Sequence, residues 1–327
     1  MFICYDIIFN KGAVYNSINL NKLRGIIICM SGFSSARKGA VLAISGSLFW
    51  GIMGVVCQFL LQERQLPALW LVHVRMLFAG LLMLVGDYFI NRKNLYEVWH
   101  GRYNIVQMLI FSFVTIMAVQ FTYLSAVKHM NAAMATVFVS LAPIMTMLWL
   151  CLRRWESPRF NEALCCISAV LGAIIMATHG DMTSLSISEE GLLWGVTLPF
   201  AGVVYTVQPG YLMKHFRPIN VIGWGLLLGG VALIPWVQFW NCPVSLDITA
   251  ILMLGYTVVF GTAIAFGTFL ASLRYIQPHI AAIYELLEPF SAIALSIILL
   301  DVLFQLPEWI GTALIMLPVI YLALRKN

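Results

Sequence analysis

Thr122-Tyr-Leu-Ser-Ala-Val-Lys-His-Met-Asn-Ala-Ala-Met-Ala-Thr-Val-Phe-Val-Ser-Leu-Ala-Pro143 returns 146 positions later as Thr268-Phe-Leu-Ala-Ser-Leu-Arg-Tyr-Ile-Gln-Pro-His-Ile-Ala-Ala-Ile-Tyr-Glu-Leu-Leu-Glu-Pro289. Five of the 22 positions are identical: Thr122/Thr268, Leu124/Leu270, Ala135/Ala281, Leu141/Leu287 and Pro143/Pro289. Others match in kind, among them Tyr123/Phe269, Lys128/Arg274, Asn131/Gln277 and Phe138/Tyr284. The register still holds at Glu162/Glu308. The chain is therefore a duplication, and a strongly apolar one, a combination that points to a transporter. The copies also disagree: Glu285 and Glu288 stand where the first copy has Val139 and Ala142.

Hydrophobic residues make up 61% of the 327 residues and charged residues 10%, against about 25% charged in an average soluble domain. Mean hydropathy is +0.90. So few charges cannot cover that much apolar surface in water, so the bilayer is the solvent. The net charge of +5 belongs to loops; no basic stretch interleaved with aromatics points to nucleic acid. The seven cysteines are scattered without metal or redox spacing, so neither a metal nor a cofactor is expected. Residues 1–30 mix apolar and polar residues, and Met30 precedes a Ser-rich, basic lead-in. Residues 1–38 therefore read as an N-terminal extension, with Met30 as the expected start of translation.

A crossing helix needs about 20 apolar residues. Ten segments qualify: 39–61, 68–90, 104–126, 131–152, 160–179, 190–213, 219–240, 248–273, 279–301 and 307–324. With the N-terminus inside, the inner connections hold 13 Lys/Arg between Arg37 and Lys326, and the outer ones only Arg64 and Lys128. That asymmetry orients the chain with both termini in the cytoplasm; the expected location is a bacterial cytoplasmic (inner) membrane. Ten spans in two copies give five each. Five is odd, so the second copy enters the membrane inverted relative to the first. The expected fold is an all-α polytopic membrane protein of two inverted five-helix repeats, 39–179 and 190–324.

Several segments resemble the drug/metabolite transporter superfamily, specifically its EamA-type members. Ser47-Leu-Phe-Trp-Gly51 resembles the family's opening helix, and Arg75-Met-Leu-Phe-Ala-Gly80 the Arg-x-x-x-Ala pattern of its second. Ala126-Val-Lys-His-Met-Asn-Ala-Ala133 with Ser140-Leu-Ala-Pro143 resembles the joint of helices three and four, and Leu287-Glu288-Pro289 the ninth helix. The likeness covers about 39–324. Members usually carry Gly-Glu after helices four and nine; here Glu156 remains in the first copy and Asp301-Val302 stands in the second. The resemblance implies a ten-helix secondary transporter, commonly an exporter of amino acids or related metabolites.

Candidate transport residues follow from charge at membrane depth, which is costly and faces a cavity or a partner. Glu285 and Glu288 are three apart and share a helix face. They lie about 9 and 13 Å from the inner end of their helix. Two such carboxylates repel each other, which suits proton coupling or an ammonium ligand; alternatively, Glu288 anchors a polar network beside Pro289. Arg75 lies about 10 Å below the outer face, about 6 Å in depth from Glu288 in a 30 Å core. It reads either as a partner of that carboxylate or as an anchor for a substrate carboxylate. Trp50, Gln120, Tyr123 and Tyr284 are candidate cavity walls, with Gln58, Tyr205, Gln208 and Tyr256 as weaker ones; ordinary packing is the competing reading for each. His73 reads as structural. Pro143 and Pro289 are matched mid-helix prolines and hinge candidates, and Pro199 and Pro209 are expected to break helix six.

No Walker A loop, His-Glu-x-x-His motif or catalytic Ser/His/Asp set occurs. The expected function is secondary active transport of amino acids or related metabolites by alternating access, coupled to protons, with drug or amine efflux, nucleotide-type exchange, and a passive channel or scaffold as alternatives. The expected partners are a small-molecule substrate, protons and the lipid bilayer.

Overall fold

The computed structural model describes residues 23–90, 95–154, 157–179, 187–242 and 244–324. Ten apolar helices span this range: α1 (Ser35–Glu63), α2 (Ala68–Phe89), α3 (Arg102–His129), α4 (Ala132–Arg154), α5 (Phe160–Thr178), α6 (Glu189–His215), α7 (Pro218–Leu233), α8 (Ile248–Ser272), α9 (Ile280–Leu300) and α10 (Leu306–Leu324). All but α7 are long and apolar enough to cross a bilayer. At 16 residues, α7 is about 24 Å long.

Two expected boundaries change. The helix carrying α1 begins at Leu23 rather than at residue 39, because no proline interrupts Leu23–Lys38. Residues 1–22 lie outside the described range, as do Glu156 and Arg325–Asn327. The segment expected to run to residue 240 stops being helical at Leu233, because Pro235 has no N–H to continue the ladder and its ring excludes the Val231 carbonyl. The chain then turns, and the Trp70 indole N–H donates to the Gln238 carbonyl at 3.2 Å, pinning the turn to α2.

Packing follows the duplication. The closest-packed helix pairs are α2–α7 and α5–α10, each a helix with its own repeat mate. Next come α1 with α8 and α9, and their mates, α6 with α3 and α4. Aromatic contacts repeat the same exchange: Trp50 of α1 stands 5.2 Å from both Phe266 and Phe269 of α8, and Trp194 of α6 stands 5.3 Å from Phe121 of α3. At the α5–α10 crossing Gly172 and Gly311 face each other so closely that a Cβ on either would lie 2.7 Å from the other's carbonyl oxygen. The helix caps repeat too. The Arg159 N–H donates to the Glu162 carboxylate (2.8 Å), and the Gln305 N–H to the Glu308 carboxylate (2.9 Å). Each carboxylate closes a first helical turn.

The prolines act one turn ahead of themselves. Helix α4 is interrupted between Val139 and Ala142, and α9 between Glu285 and Leu287. A proline ring excludes the helical carbonyl four residues earlier, here that of Val139 for Pro143 and that of Glu285 for Pro289. Both prolines thus sit in the first turn after a break, not in the middle of a continuous helix. In α6, Pro209 marks the break between Val207 and Gly210, while Pro199 is accommodated inside unbroken helix.

Three π-bulges, Phe59–Glu63 in α1, Phe111–Ile116 in α3 and Val259–Ile264 in α8, were not anticipated from sequence. Those in the repeat mates α3 and α8 fall two positions apart in the 146-residue register. A π-bulge re-aims side chains inside a continuous helix and recurs at functional sites.

The ends of the repeats are tied across two faces. On the face bearing the α1–α2, α3–α4 and α5–α6 turns, ion pairs join Arg64 to Asp247 (2.8 Å), His129 to Glu190 (2.8 Å) and His179 to Glu308 (2.6 Å). On the other face, which carries the exposed Arg153, Arg154, Lys214 and Arg274, Asp87 is buried. It pairs with Arg217 at 3.0 Å and accepts from the Asn220 amide at 3.0 Å. All four pairs join one repeat to the other.

Candidate functional site

Residues Trp50 to Gln58 of α1 form the hub of the interior. Gly51 and Gly54, three apart on one face, let two other helices approach. A Cβ at Gly51 would lie 2.7 Å from the Glu288 carbonyl oxygen on α9, and one at Gly54 would lie 2.7 Å from the Tyr123 hydroxyl on α3. Between them, Met53 accepts from Arg75 of α2 through its sulfur at 3.0 Å and packs against Gly261 in the π-bulge of α8. One turn of α1 therefore gathers Glu288, Arg75 and Tyr123 from three helices.

Arg75 is 2% exposed. Its Nη2 donates to the Met53 sulfur and, at 3.3 Å, to the hydroxyl of Thr262 in the same bulge. Among the described residues its Nε and Nη1 have no acceptor. The expected pairing with Glu288 is not formed: among the described residues the ion pairs are the four named above, and Arg75 is in none of them. The depth estimate placed the two groups at similar heights, but Arg75 points at α1 and α8, where Met53 and Thr262 hold it. Tyr123 lies within electrostatic range of both Glu288 and Arg75, and its hydroxyl has no hydrogen-bond partner.

Glu285 and Glu288 are both half-buried and lie close enough to repel one another. They are enclosed by protein yet keep part of their surface open, as do their neighbours Tyr284, Leu286 and Leu287. Tyr284 and Leu286 pack against the hydrophobic core, so this stretch of α9 is only partly open. The break beside Glu285 adds a backbone carbonyl, freed by Pro289, to the same place.

The other candidates divide. Gln120 is buried on α3 one turn before Tyr123, so both stand on the same side of that helix. Trp50 is 8% exposed, and its ring is occupied by Phe266 and Phe269. Gln58 accepts from the Ala132 N–H at 2.8 Å, while Gln62 donates to the Val127, Lys128 and Met130 carbonyls at 3.0 Å each. Together these two glutamines clamp the α3–α4 turn. Gln208 is taken up by Thr115 and Gln107, Tyr205 stacks on Phe111 and Tyr256 on Phe260, and His73 binds the Gly230 carbonyl at 2.9 Å. Sequence reasoning missed Met53, Gly54 and Thr262 as parts of the site; the glycine spacing on α1 was the one visible signal. A cavity of about 300 Å³ at the basic face is lined by Glu97, Lys214, His215 and Arg217 among others, and by neither α9 carboxylate. Its Arg217 is already neutralised by Asp87.

Comparison with known proteins fits this geometry. A family model described as the EamA-like transporter family matches residues 37–178 and again 190–324. The chain is 33% identical over 290 residues to an uncharacterized inner membrane transporter, YicL, of Salmonella typhimurium, covering 89% of this chain and 96% of that one. It is 25% identical over 218 residues to an uncharacterized transporter, YdeK, of Bacillus subtilis, covering 65% and 71%. A solved crystal structure aligns with TM-score 0.57 at 13% identity, over 86% of this chain and 94% of that one, a likeness of fold alone.

Proposed function

Because the chain belongs to the EamA-like transporter family, we propose that it is a proton-coupled secondary transporter that exports amino acids or related small metabolites by alternating access. Membership makes it a multi-pass membrane transporter and not an enzyme; substrate, coupling and direction are our reading. The observation that carries this reading is that Tyr123 has both a buried cation and a half-buried carboxylate near it. A guanidinium with no counterion among the described residues and the Glu288 carboxylate both lie within its electrostatic range, and the two do not pair with each other. Two opposite charges held apart complement a zwitterion. A substrate with several phosphate charges would call for more buried cations than Arg75 alone. The half-buried Glu285 and Glu288 repel each other, so binding a proton or an ammonium group relieves that repulsion.

The inverted repeats, 39–179 and 190–324 after an N-terminal extension of 1–38, supply two pseudo-equivalent halves that exchange roles between the faces. The breaks ahead of Pro143 and Pro289 are the proposed hinges. The basic face is assigned to the cytoplasm of a bacterial cell with both termini on that side, the site opening to it for uptake of substrate from the cytoplasm. A C-terminal fluorescent or phosphatase fusion tests the orientation: phosphatase activity would overturn it.

Counterflow in proteoliposomes tests the function. A carrier exchanges labelled for unlabelled amino acid across the bilayer, and an imposed pH gradient drives net uptake. Exchange without any response to the gradient would remove the proton coupling; no exchange by any amino acid would remove the substrate class.

A further inference from the structure

We propose that Arg75 and Tyr123 form an anion subsite whose ligand is the carboxylate of the transported zwitterion. This inference rests on the transporter reading above and adds to it the pole that binds the acid group.

The argument is one of unmet demand. A guanidinium presents five N–H donors and no acceptor. Buried without a counterion, it keeps a large desolvation penalty that hydrogen bonds to neutral groups offset only in part. Arg75 is 2% exposed, and its acceptors are a thioether sulfur, which is weak, and one hydroxyl. Among the described residues Nε and Nη1 are left with no acceptor, and the Tyr123 hydroxyl, itself buried and within electrostatic range, has no hydrogen-bond partner either. Three idle donor atoms, two of them on the full positive charge and the third within its electrostatic range, call for an anion with more than one acceptor atom. A carboxylate supplies two oxygens and one negative charge. Water would satisfy donors but leave the charge standing.

The protein's own carboxylates do not fill this role. Among the described residues, Asp247, Asp87, Glu190 and Glu308 are taken by Arg64, Arg217, His129 and His179, and the charge acting on Glu288 is that of Glu285. The fold also builds the subsite with care. Gly54 removes the side chain that would displace the Tyr123 hydroxyl, Gly261 makes room for Met53, and the π-bulge of α8 brings Thr262 to the guanidinium. Since Gly51 lets the Glu288 backbone reach the same turn of α1, and the Glu288 charge is felt at Tyr123, a bound zwitterion has its carboxylate towards Arg75 and its ammonium towards Glu288.

The test uses the purified full-length protein in chloride-free sulfate buffer. Thermal stability is measured with an equimolar mixture of the twenty L-amino acids and, separately, with the matching amino-acid amides, which keep the amine and lose the acid. The expected result is stabilisation by the acids and at least about tenfold weaker apparent affinity for the amides. Tyr123→Phe, which keeps the ring, is expected to weaken the response to the acids about tenfold, a single lost hydrogen bond to a charged group. Arg75→Met is expected to hold or raise the melting temperature of the empty protein, since it removes an uncompensated charge, and to erase the preference for acids over amides. Equal stabilisation by acids and amides overturns the subsite while leaving the transporter reading intact. A lower melting temperature for Arg75→Met with an unchanged acid preference makes Arg75 structural and overturns it too. Stabilisation by sodium chloride that matches the acids, and is lost in Arg75→Met, assigns the site to an inorganic anion instead. Silence towards both mixtures overturns the amino-acid reading and this inference with it.

Discussion

Helices α4 and α9 are the same helix twice, broken at the matched position and followed by the matched proline, yet they do opposite things. In α4 the stretch Ala132–Phe138 is buried throughout. Ala142 fits against Gly202 of α6, where a Cβ would lie 2.6 Å from its own. In α9 the matching stretch, Pro278–Tyr284, is buried at Ala281 and Ala282 but exposed at Ile280, and the turn after it carries two half-buried carboxylates, Glu285 and Glu288. One copy is packed closed ahead of its break, and the other is partly open and charged beside it. Duplication thus supplies the bend in both halves, and divergence after it puts the charge in one.

The comparison breaks most sharply at its carboxylates. Glu285→Gln is expected to abolish uptake driven by a pH gradient while exchange remains measurable; unchanged gradient dependence defeats the coupling role. The reciprocal change, Ala142→Glu, puts a charge where α6 leaves no room and no partner. A loss of about 3 kcal/mol or more is expected, read as poor recovery of folded protein; a stable, active variant would show that α4 also borders the cavity. Next in size is the crossing of the mates α5 and α10. Gly311→Ala meets the Gly172 carbonyl oxygen at 2.7 Å, backbone against backbone, for an expected cost of about 1–3 kcal/mol by thermal unfolding. The smallest effects separate the twin caps. Glu162→Ala is expected to cost about 1 kcal/mol, and Glu308→Ala more, because Glu308 is also buried against His179 at 2.6 Å. Equal losses would mean that the His179 pair adds nothing.

Much of this was legible in the sequence because the bilayer restricts the alternatives: every backbone polar group must be satisfied within the segment, so apolar length reads out directly as helix. The boundaries that moved were local, Pro235 ending α7 early and the unbroken lead-in carrying α1 back to Leu23. The site was half legible. Glu285, Glu288, Arg75 and Tyr123 stood out as polar groups at membrane depth, and the structure gathers Glu288, Arg75 and Tyr123 around α1. It does not pair Arg75 with Glu288, because depth along two helices says nothing about which way each side chain points around its axis. The π-bulges were illegible for a similar reason: one extra residue in a turn leaves hydropathy unchanged and depends on neighbours such as Arg75 and Met53.

The sequence by itself determined that the chain is duplicated, inverted and membrane-spanning, and that its second copy alone bears the carboxylates of α9. Repeat spacing, odd helix number and hydropathy are properties of the linear chain. Only the tertiary structure decided which groups meet. Gly51 and Gly54 set how closely α9 and α3 approach α1, and the bulge in α8 sets where Thr262 points. Together they leave Arg75 buried without a counterion, a fact of three-dimensional packing that no one-dimensional pattern contains.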